Sequence, residues 1–367
     1  IVHCDQVSHV IPQAVRKQSS HRCLGSYNMV RLVSVCLKSD VVTAQLMIIS
    51  RTPVRVSFCG GGTDVDSYSQ NFSEGGMVVS LALSRYIHVT VNSRFDNKVR
   101  VSYSKMEIVE NFEDLEHELV REAMRMTGVT SGVEITTIAD VPSRGTGLGS
   151  SSTVTVGLLN ALHRFAGREV SAEQLASEAC EIEIRILGQP IGRQDQYAAA
   201  FGGLNAIYFT SDGVNVSPID IDNHLLNRLE NEFTLVFTNL TRSASTVLSE
   251  KPNSEEDKNI RLNNIREQAN QSLSHIECGD LVGLGKLLGS AWDEKRGISH
   301  SVSNDEIDSL HNQLMDLGAN GAKLLGAGGG GFFLVHGDEG FRRKIKQSLG
   351  EANRIIPIKI DFEGSKI

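Results

Sequence analysis

From Met47 onward, short apolar runs rich in Val and Ile alternate with longer stretches whose apolar positions recur at helical spacing. Residues 47–58 (MIISRTPVRVSF) predict a strand, broken by Gly60, Gly61 and Gly62. The stretches GMVVSLALSRYIHVTVNSR and KVRVSYS predict strands of a mixed sheet, because β-branched side chains favour extended backbone. Residues 113–128 predict a helix ended by Gly128, and residues 132–141 a strand that stops at Pro142. After a glycine- and serine-rich turn, Val154, Leu158, Leu162 and Phe165 mark one face of a helix reaching Gly167. Ser171 and Gln174 form a capping box that opens a helix running through Glu183 to Gly188. GLNAIYF and VNVSPIDI return to strands.

Near Asn223 a second unit begins. It reads as a strand (FTLVFTNL), helices over 255–278, 281–292 and 305–317, a glycine-rich segment at 318–331, a strand, a basic helix and a final strand, RIIPIKIDF. The order is α+β rather than a repeating βαβ wind, and no solenoid-type repeat is visible. Two domains are expected, 47–222 and 223–367, and a chain of 367 residues can bury a core in each.

Composition narrows the function. Apolar content of 40% and charged content of 22% are those of a soluble globular protein. No apolar run approaches the roughly 20 residues that span a bilayer, so no membrane partner is expected. A net charge of −8 argues against a nucleic-acid partner. Cys4, Cys23, Cys36, Cys59, Cys180 and Cys278 are scattered without a CxxC pair, which points to a reducing cytoplasm rather than a zinc site or disulfide framework. Residues 1–46 differ in texture: five Lys/Arg against two acids give +3, leaving −11 for the rest. The chain opens on Ile1, and Met47 stands directly before the first strand, so 1–46 is expected to be an upstream or appended tail without its own fold. A short targeting or partner-binding arm is the alternative.

Four segments carry candidate chemistry. Pro142 to Ser152 joins a strand to a helix through Gly145, Gly147, Leu148, Gly149, Ser150, Ser151 and Ser152. Glycines allow close approach of the backbone, and a helix N-terminus presents unsatisfied N–H groups, so the segment suits phosphate. It is neither a Walker A loop, lacking Lys-Ser/Thr after the last glycine, nor a GxGxxG fingerprint, its glycines being one residue too close. Alone, it is also compatible with a plain capping turn. Glu183 lies on the following helix, and Asp195, after Gly188 and Gly192, is expected on a loop where it can face a ligand. A carboxylate near an acceptor hydroxyl can position it or take its proton, and a second carboxylate with a serine hydroxyl suits Mg²⁺. Any single acid is more often a solvated surface charge; company is what lifts these. Arg55 with Gly60, Gly61, Gly62, Thr63 and Asp64 can meet a polyol, although a tight hairpin explains the same residues. The last segment, Gly321 to Phe332, is too glycine-rich for an ordered region unless something presses on its backbone, and a ligand is the expected cause.

Taken together, Pro53-Val54-Arg55-Val56 with Gly60 and Thr63-Asp64, the PxxxGLGSS-like run from Pro142 to Ser151, and Lys323 to Phe332 resemble the three ordered motifs of the GHMP kinases. The resemblance covers Met47 to the end. It implies a ribosomal protein S5 domain 2-like N-terminal domain, a ferredoxin-like C-terminal domain, and ATP and Mg²⁺ as cofactors. It also implies transfer of the γ-phosphate to a hydroxyl. Asp195 matches the residue facing the acceptor hydroxyl, and Arg55 the arginine beside it. Ser151 and Glu183 match the metal ligands, and Asp64 the residue binding sugar hydroxyls. Gly62, Thr63, Gly328 and Gly329 fall at substrate-side positions. Galactokinases carry Glu-His where this chain has Gly61-Gly62, which makes galactose a poor fit. The Gly-Gly-Gly-Thr-Asp form, with Gly192-Arg193-Gln194-Asp195-Gln196, is most similar to the branch acting on D-glycero-D-manno-heptose 7-phosphate at its anomeric hydroxyl. A sugar phosphate needs a cationic clamp, for which Arg193, Arg242 and Lys323 are candidates. Another sugar-1-kinase such as an L-fucokinase, or a non-catalytic sugar sensor, is the alternative; a homodimer is compatible with either.

Overall fold

The computed structural model describes residues 47–142, 145–241, 247, 254–350 and 355–367. The N-terminal tail and Arg242 therefore lie outside the described residues. Seven strands form the first sheet, in the order β4 (Met106–Val109), β3 (Val99–Ser102), β5 (Val133–Ala139), β2 (Gly76–Ser93), β6 (Leu204–Thr210), β7 (Gly213–Pro218), with β1 (Ile48–Cys59) paired to β2. β2 is long enough to serve three partners: β1 along most of its length, β6 on its first half and β5 on its second. β3 and β5 are parallel; the other pairs in this sheet are antiparallel. The second sheet is antiparallel throughout, in the order β11 (Ile355–Pro357), β8 (Phe233–Phe237), β10 (Phe332–His336), β9 (Gly321–Leu324). The α+β class expected from the pattern is observed.

Helices α1 (Asp66–Ser69), α2 (Glu118–Thr127), α3 (Ser150–Phe165), α4 (Ala172–Cys180), α5 (Gln194–Phe201) and α6 (Asn223–Glu232) occupy the first two-thirds of the chain. Helices α7 (Glu255–Glu277), α8 (Leu281–Arg296), α9 (Asp305–Asp316) and α10 (Phe341–Leu349) follow. Five of these ten open with a side-chain cap: Ser171, Asp222, Ser254, Asp280 and Asn304 each accept an N–H from the first turn. α3 and α5 do not. Their caps, Gly149 and Arg193, make no side-chain capping bond; at α5 the Gln194 N–H goes to Asp64 instead, and at α3 the orphan N–H groups remain for another acceptor.

One apolar cluster runs through both sheets, from Val54, Val56 and Phe58 on β1 to Phe332 and Leu334 on β10 and Leu284 and Leu288 on α8. A second lies between the first sheet and α2 to α5, and a third holds Trp292, Phe333 and Phe341 around the second sheet. The last residues return to the first sheet: Arg51 and Lys366 exchange backbone hydrogen bonds at 2.7 and 3.0 Å, and Ser84 N–H donates to Lys359 at 2.7 Å. The glycine-rich motifs meet one another through backbone hydrogen bonds, Arg55 N–H to Leu148 O and Phe332 N–H to Thr146 O, both at 3.1 Å. Among the described residues no helix is long and apolar enough to cross a membrane.

Candidate active site

Arg55, on β1, is 3% exposed. Its Nε donates to Asp195 Oδ1 at 2.7 Å, its Nη2 lies 2.6 Å from the same oxygen, and its Nη1 donates to the Gly147 carbonyl at 2.5 Å. One guanidinium thus ties the candidate base to the backbone of the candidate phosphate loop. Asp195 is in the first turn of α5, not on a loop as the glycines suggested. Gly192 precedes a helix that carries three strong formers, Ala198 to Ala200, rather than an open turn. The helix improves the placement, since a carboxylate is favoured near the positive end of the dipole.

Gly149 explains how Asp195 reaches the loop. A Cβ built there would lie 3.1 Å from Asp195 Cγ and Oδ2, and its φ of +74° is in the left-handed region. Glycine alone accommodates both. Immediately after it, α3 starts with Ser150, Ser151 and Ser152 and no side-chain cap, so its N–H groups face the loop unclaimed.

Ser151 Oγ donates to Glu183 Oε1 at 3.0 Å, and Gln196 Nε2 donates to Glu183 Oε2 at 2.7 Å. Glu183 is fully buried, and this burial pushes its carboxyl up to about 7, against which its neutral hydrogen-bond partners pull only partly. The helix expected to run straight to Gly188 ends at Cys180 and widens into a π-helical turn over Glu181–Ile186. Such turns occur often at functional sites, and this one leaves Glu181 outside while Glu183 points in. Hard oxygens from one carboxylate and one hydroxyl fit a magnesium ion that keeps waters and phosphate oxygens in its shell. No cluster of three or more His, Cys, Asp or Glu able to hold a metal by itself occurs among the described residues. Gln196, fully buried beside Glu183, was not singled out from the sequence, where only its adjacency to Asp195 marks it.

The glycine-rich segment before β10 presses on the candidate phosphate loop. A Cβ on Gly326 would lie 2.4 Å from Gly147 Cα, one on Gly147 would meet the Leu325 carbonyl at 2.5 Å, and one on Gly331 the Thr146 carbonyl at 2.3 Å. Phe332 N–H donates to Thr146 O at 3.1 Å. The ligand expected to press on these glycines is, for these residues, another strand of backbone.

The chain's likeness to known proteins agrees with this geometry. Residues 104–203 match the family of GHMP kinases N terminal domain, and residues 266–354 match GHMP kinases C terminal. Over 309 residues the chain is 33% identical to the D-glycero-alpha-D-manno-heptose 7-phosphate kinase of Campylobacter jejuni, covering 79% of this chain and 89% of that one. The chain is a GHMP kinase. It is also 27% identical over 357 residues to the L-fucokinase/L-fucose-1-P guanylyltransferase of Bacteroides fragilis, of whose longer chain it covers 37%. Among solved structures, a D-glycero-D-manno-heptose 1-phosphate kinase from Bacteroides thetaiotaomicron superposes with a TM-score of 0.72 at 24% identity, covering 88% of this chain and 99% of that one. A galactose-bound galactokinase from Lactococcus lactis superposes at 0.68 and 18%, covering 87% and 95%. These two likenesses concern the fold. As a GHMP kinase, the chain is an ATP-dependent phosphotransferase with an alcohol acceptor.

Several substrate-side expectations need correction within the kinase. Lys323 is buried, and its ammonium donates to the Ser57 and Phe58 carbonyls at 2.8 and 2.5 Å. Burial lowers its pKa to about 8. It braces the strand end before the candidate substrate turn from behind and is not a solvent-facing phosphate clamp. Thr63 is fully buried, its hydroxyl donating to Gly60 O at 2.8 Å, so it supports that turn without facing out. Gly328 and Gly329 are buried beneath the segment at Val302, to whose carbonyl Gly329 N–H donates at 2.9 Å. Asp64 is 2% exposed and accepts from Gly62 N at 2.8 Å, Gln194 N at 3.0 Å and Gln194 Nε2 at 3.1 Å. Burial raises its carboxyl above the ordinary range despite those donors, and the charge of Asp195 adds to the rise. Arg193 donates to Ser69 Oγ at 2.9 Å, pairs with Asp66 at 3.2 Å and lies over the Phe209 ring.

Proposed function

We propose that this kinase transfers the γ-phosphate of ATP to the anomeric hydroxyl of D-glycero-D-manno-heptose 7-phosphate, giving the 1,7-bisphosphate. The observation that carries the site is the Arg55–Asp195 pair seated against Gly149, which sets a carboxylate beside an uncapped helix N-terminus. The resemblance of the substrate turn and the Campylobacter jejuni relative support the sugar. ATP phosphates lie along Gly145 to Ser152 and accept from the α3 N–H groups. Ser151 and Glu183 would hold a magnesium ion, which would neutralise phosphate charge during transfer.

The acceptor sugar lies against Gly61 and Gly62, with Asp64 beneath them joining that turn to Gln194. Asp195 orients the acceptor hydroxyl and takes its proton. The hydroxyl oxygen forms the new O–P bond while the bond to the ADP oxygen breaks, and ADP leaves. Arg55 keeps Asp195 in place and balances its charge. Positioning and electrostatics supply most of the rate in such transfers.

With Lys323 committed to backbone carbonyls, the candidates left for clamping the substrate's own phosphate are Arg242 and Arg193, the latter already held by Ser69 and Asp66. Alanine at either is expected to raise KM for the sugar phosphate and leave that for ATP; an unchanged KM removes that residue. An L-fucokinase-like reading is favoured by the Bacteroides fragilis relative, and it needs no clamp. Competition between the two sugars separates them. The kinase works in the cytoplasm on this reading, consistent with the free thiols of Cys59, Cys180 and Cys278.

A further inference from the structure

Three cations converge behind the glycine-rich motifs, and each holds main-chain carbonyls of a different one. Arg55 takes Gly147 O of the phosphate loop, and Lys323 takes Ser57 O and Phe58 O before the substrate turn. The third, Lys295 near the end of α8, donates to Leu324 O at 3.2 Å and to Gly326 O. Among the described residues neither lysine pairs with a carboxylate. Lys295 is desolvated and feels both Lys323 and Arg55, so its pKa lies well below the ordinary lysine value.

We propose that Lys295 is a positioning residue for phosphoryl transfer: its ammonium clamps the Leu324 and Gly326 carbonyls and so fixes Gly326 against Gly147, setting the phosphate loop in place and adding positive field behind it. The chain of contact is short. Lys295 holds Gly326, Gly326 touches Gly147 backbone to backbone, and Gly147 is bonded to the arginine that holds Asp195. A buried ammonium with only neutral acceptors, repelled by two neighbours, is poorly suited to stabilising a resting fold. It is well suited to a site that receives a triphosphate, because the incoming anion compensates the charge. The inference rests on the phosphoryl-transfer site proposed above.

The test compares Lys295→Met and Lys295→Arg, full length, with the acceptor sugar that the wild-type kinase turns over fastest. Lys295→Met is expected to lose at least about 30-fold in kcat at saturating ATP. Its nucleotide-free melting temperature should be no lower than wild type, since an uncompensated buried charge has been removed. Lys295→Arg, which keeps charge and donors, should recover at least about a third of the wild-type rate. Failure of Lys295→Met to fold, or a melting temperature lowered in step with activity, overturns the proposal in favour of a plain structural brace. So does near-wild-type kcat. Asp195→Asn, run alongside, separates the two levels: if it too stays active, the site itself is wrong, and if it is inactive while Lys295→Met is not, only the lysine assignment falls.

Discussion

Asp195 and Glu183 are two carboxylates held in opposite ways. Asp195 is partly exposed and shares its charge with a buried guanidinium, whereas Glu183 is fully buried among neutral donors. Asp195→Asn keeps an acceptor for Arg55 but removes the proposed base, so kcat is expected to fall by roughly 10²–10⁴ while the melting temperature moves little; steady-state kinetics beside a thermal melt checks both. Glu183 gives a pH signature. Between about pH 4.5 and 7 the folded chain holds a proton on Glu183 that the unfolded chain has released, so stability falls as pH rises through that window. Carried from 4.5 to about 7, the raised pKa corresponds to about 3 kcal/mol. Glu183→Gln is expected to flatten that slope in denaturant unfolding of the nucleotide-free protein. An unchanged slope would assign it to another group. Metal binding should recover the loss in the wild type, because the ion takes the carboxylate in place of the proton.

At the scale of elements, the glycines divide into those pressed by backbone and those merely turning. Gly326 and Gly128 both have φ near +70°, but a Cβ on Gly326 would sit 2.4 Å from Gly147 Cα, while one on Gly128 meets nothing within 4 Å. Gly128→Ala is therefore expected to cost about 1 kcal/mol, the price of left-handed backbone alone. Gly326→Ala should cost at least twice that and weaken ATP binding as well, measured by chemical denaturation and nucleotide titration. Much of this level was legible in the chain: the strand over 47–58, the helix marked by Val154, Leu158 and Leu162, and the capping box at Ser171 all stand where the pattern placed them. Local pattern missed α5 and α6, because eight- and ten-residue helices give a short periodic signal beside glycines or polar runs. It missed β9 within the glycine-rich segment, where Gly321 to Leu324 is a strand only because β10 pairs with it. The π-helical turn at Glu181 has no sequence mark of its own, as it depends on what Glu183 meets across space.

On the scale of the molecule, the two sheets share a core and the C-terminal residues close the structure onto the first sheet. Asp361 is 4% exposed and accepts from Tyr86 Oη at 2.9 Å, while its backbone bonds Ala82 and Gly203. Removing residues 361–367 breaks these and the Arg51–Lys366 pair, and at about 1 kcal/mol net for each hydrogen bond it is expected to cost about 4–6 kcal/mol. One cooperative melt at lower temperature would agree; two separate transitions would show the halves folding apart. The sequence motifs carried the family and the roles of Arg55, Asp195, Ser151 and Glu183 as expectations, and the fold sets these four around one loop. They did not show that Lys323, on β9, faces backbone or that Lys295, on α8, belongs with it, since a lone lysine in a sequence looks the same whether it meets solvent or a buried carbonyl.

The most direct test of the account is Mg-ATP-dependent ADP release by residues 47–367 with heptose 7-phosphate, mannose 6-phosphate, L-fucose, galactose and mevalonate offered separately, and product mass by mass spectrometry. Selective turnover of the heptose phosphate, with a bisphosphate product, is the expected result. Preference for an unphosphorylated sugar would contradict the substrate assignment, and ATP binding without turnover of any acceptor would contradict the proposed transfer to a sugar hydroxyl.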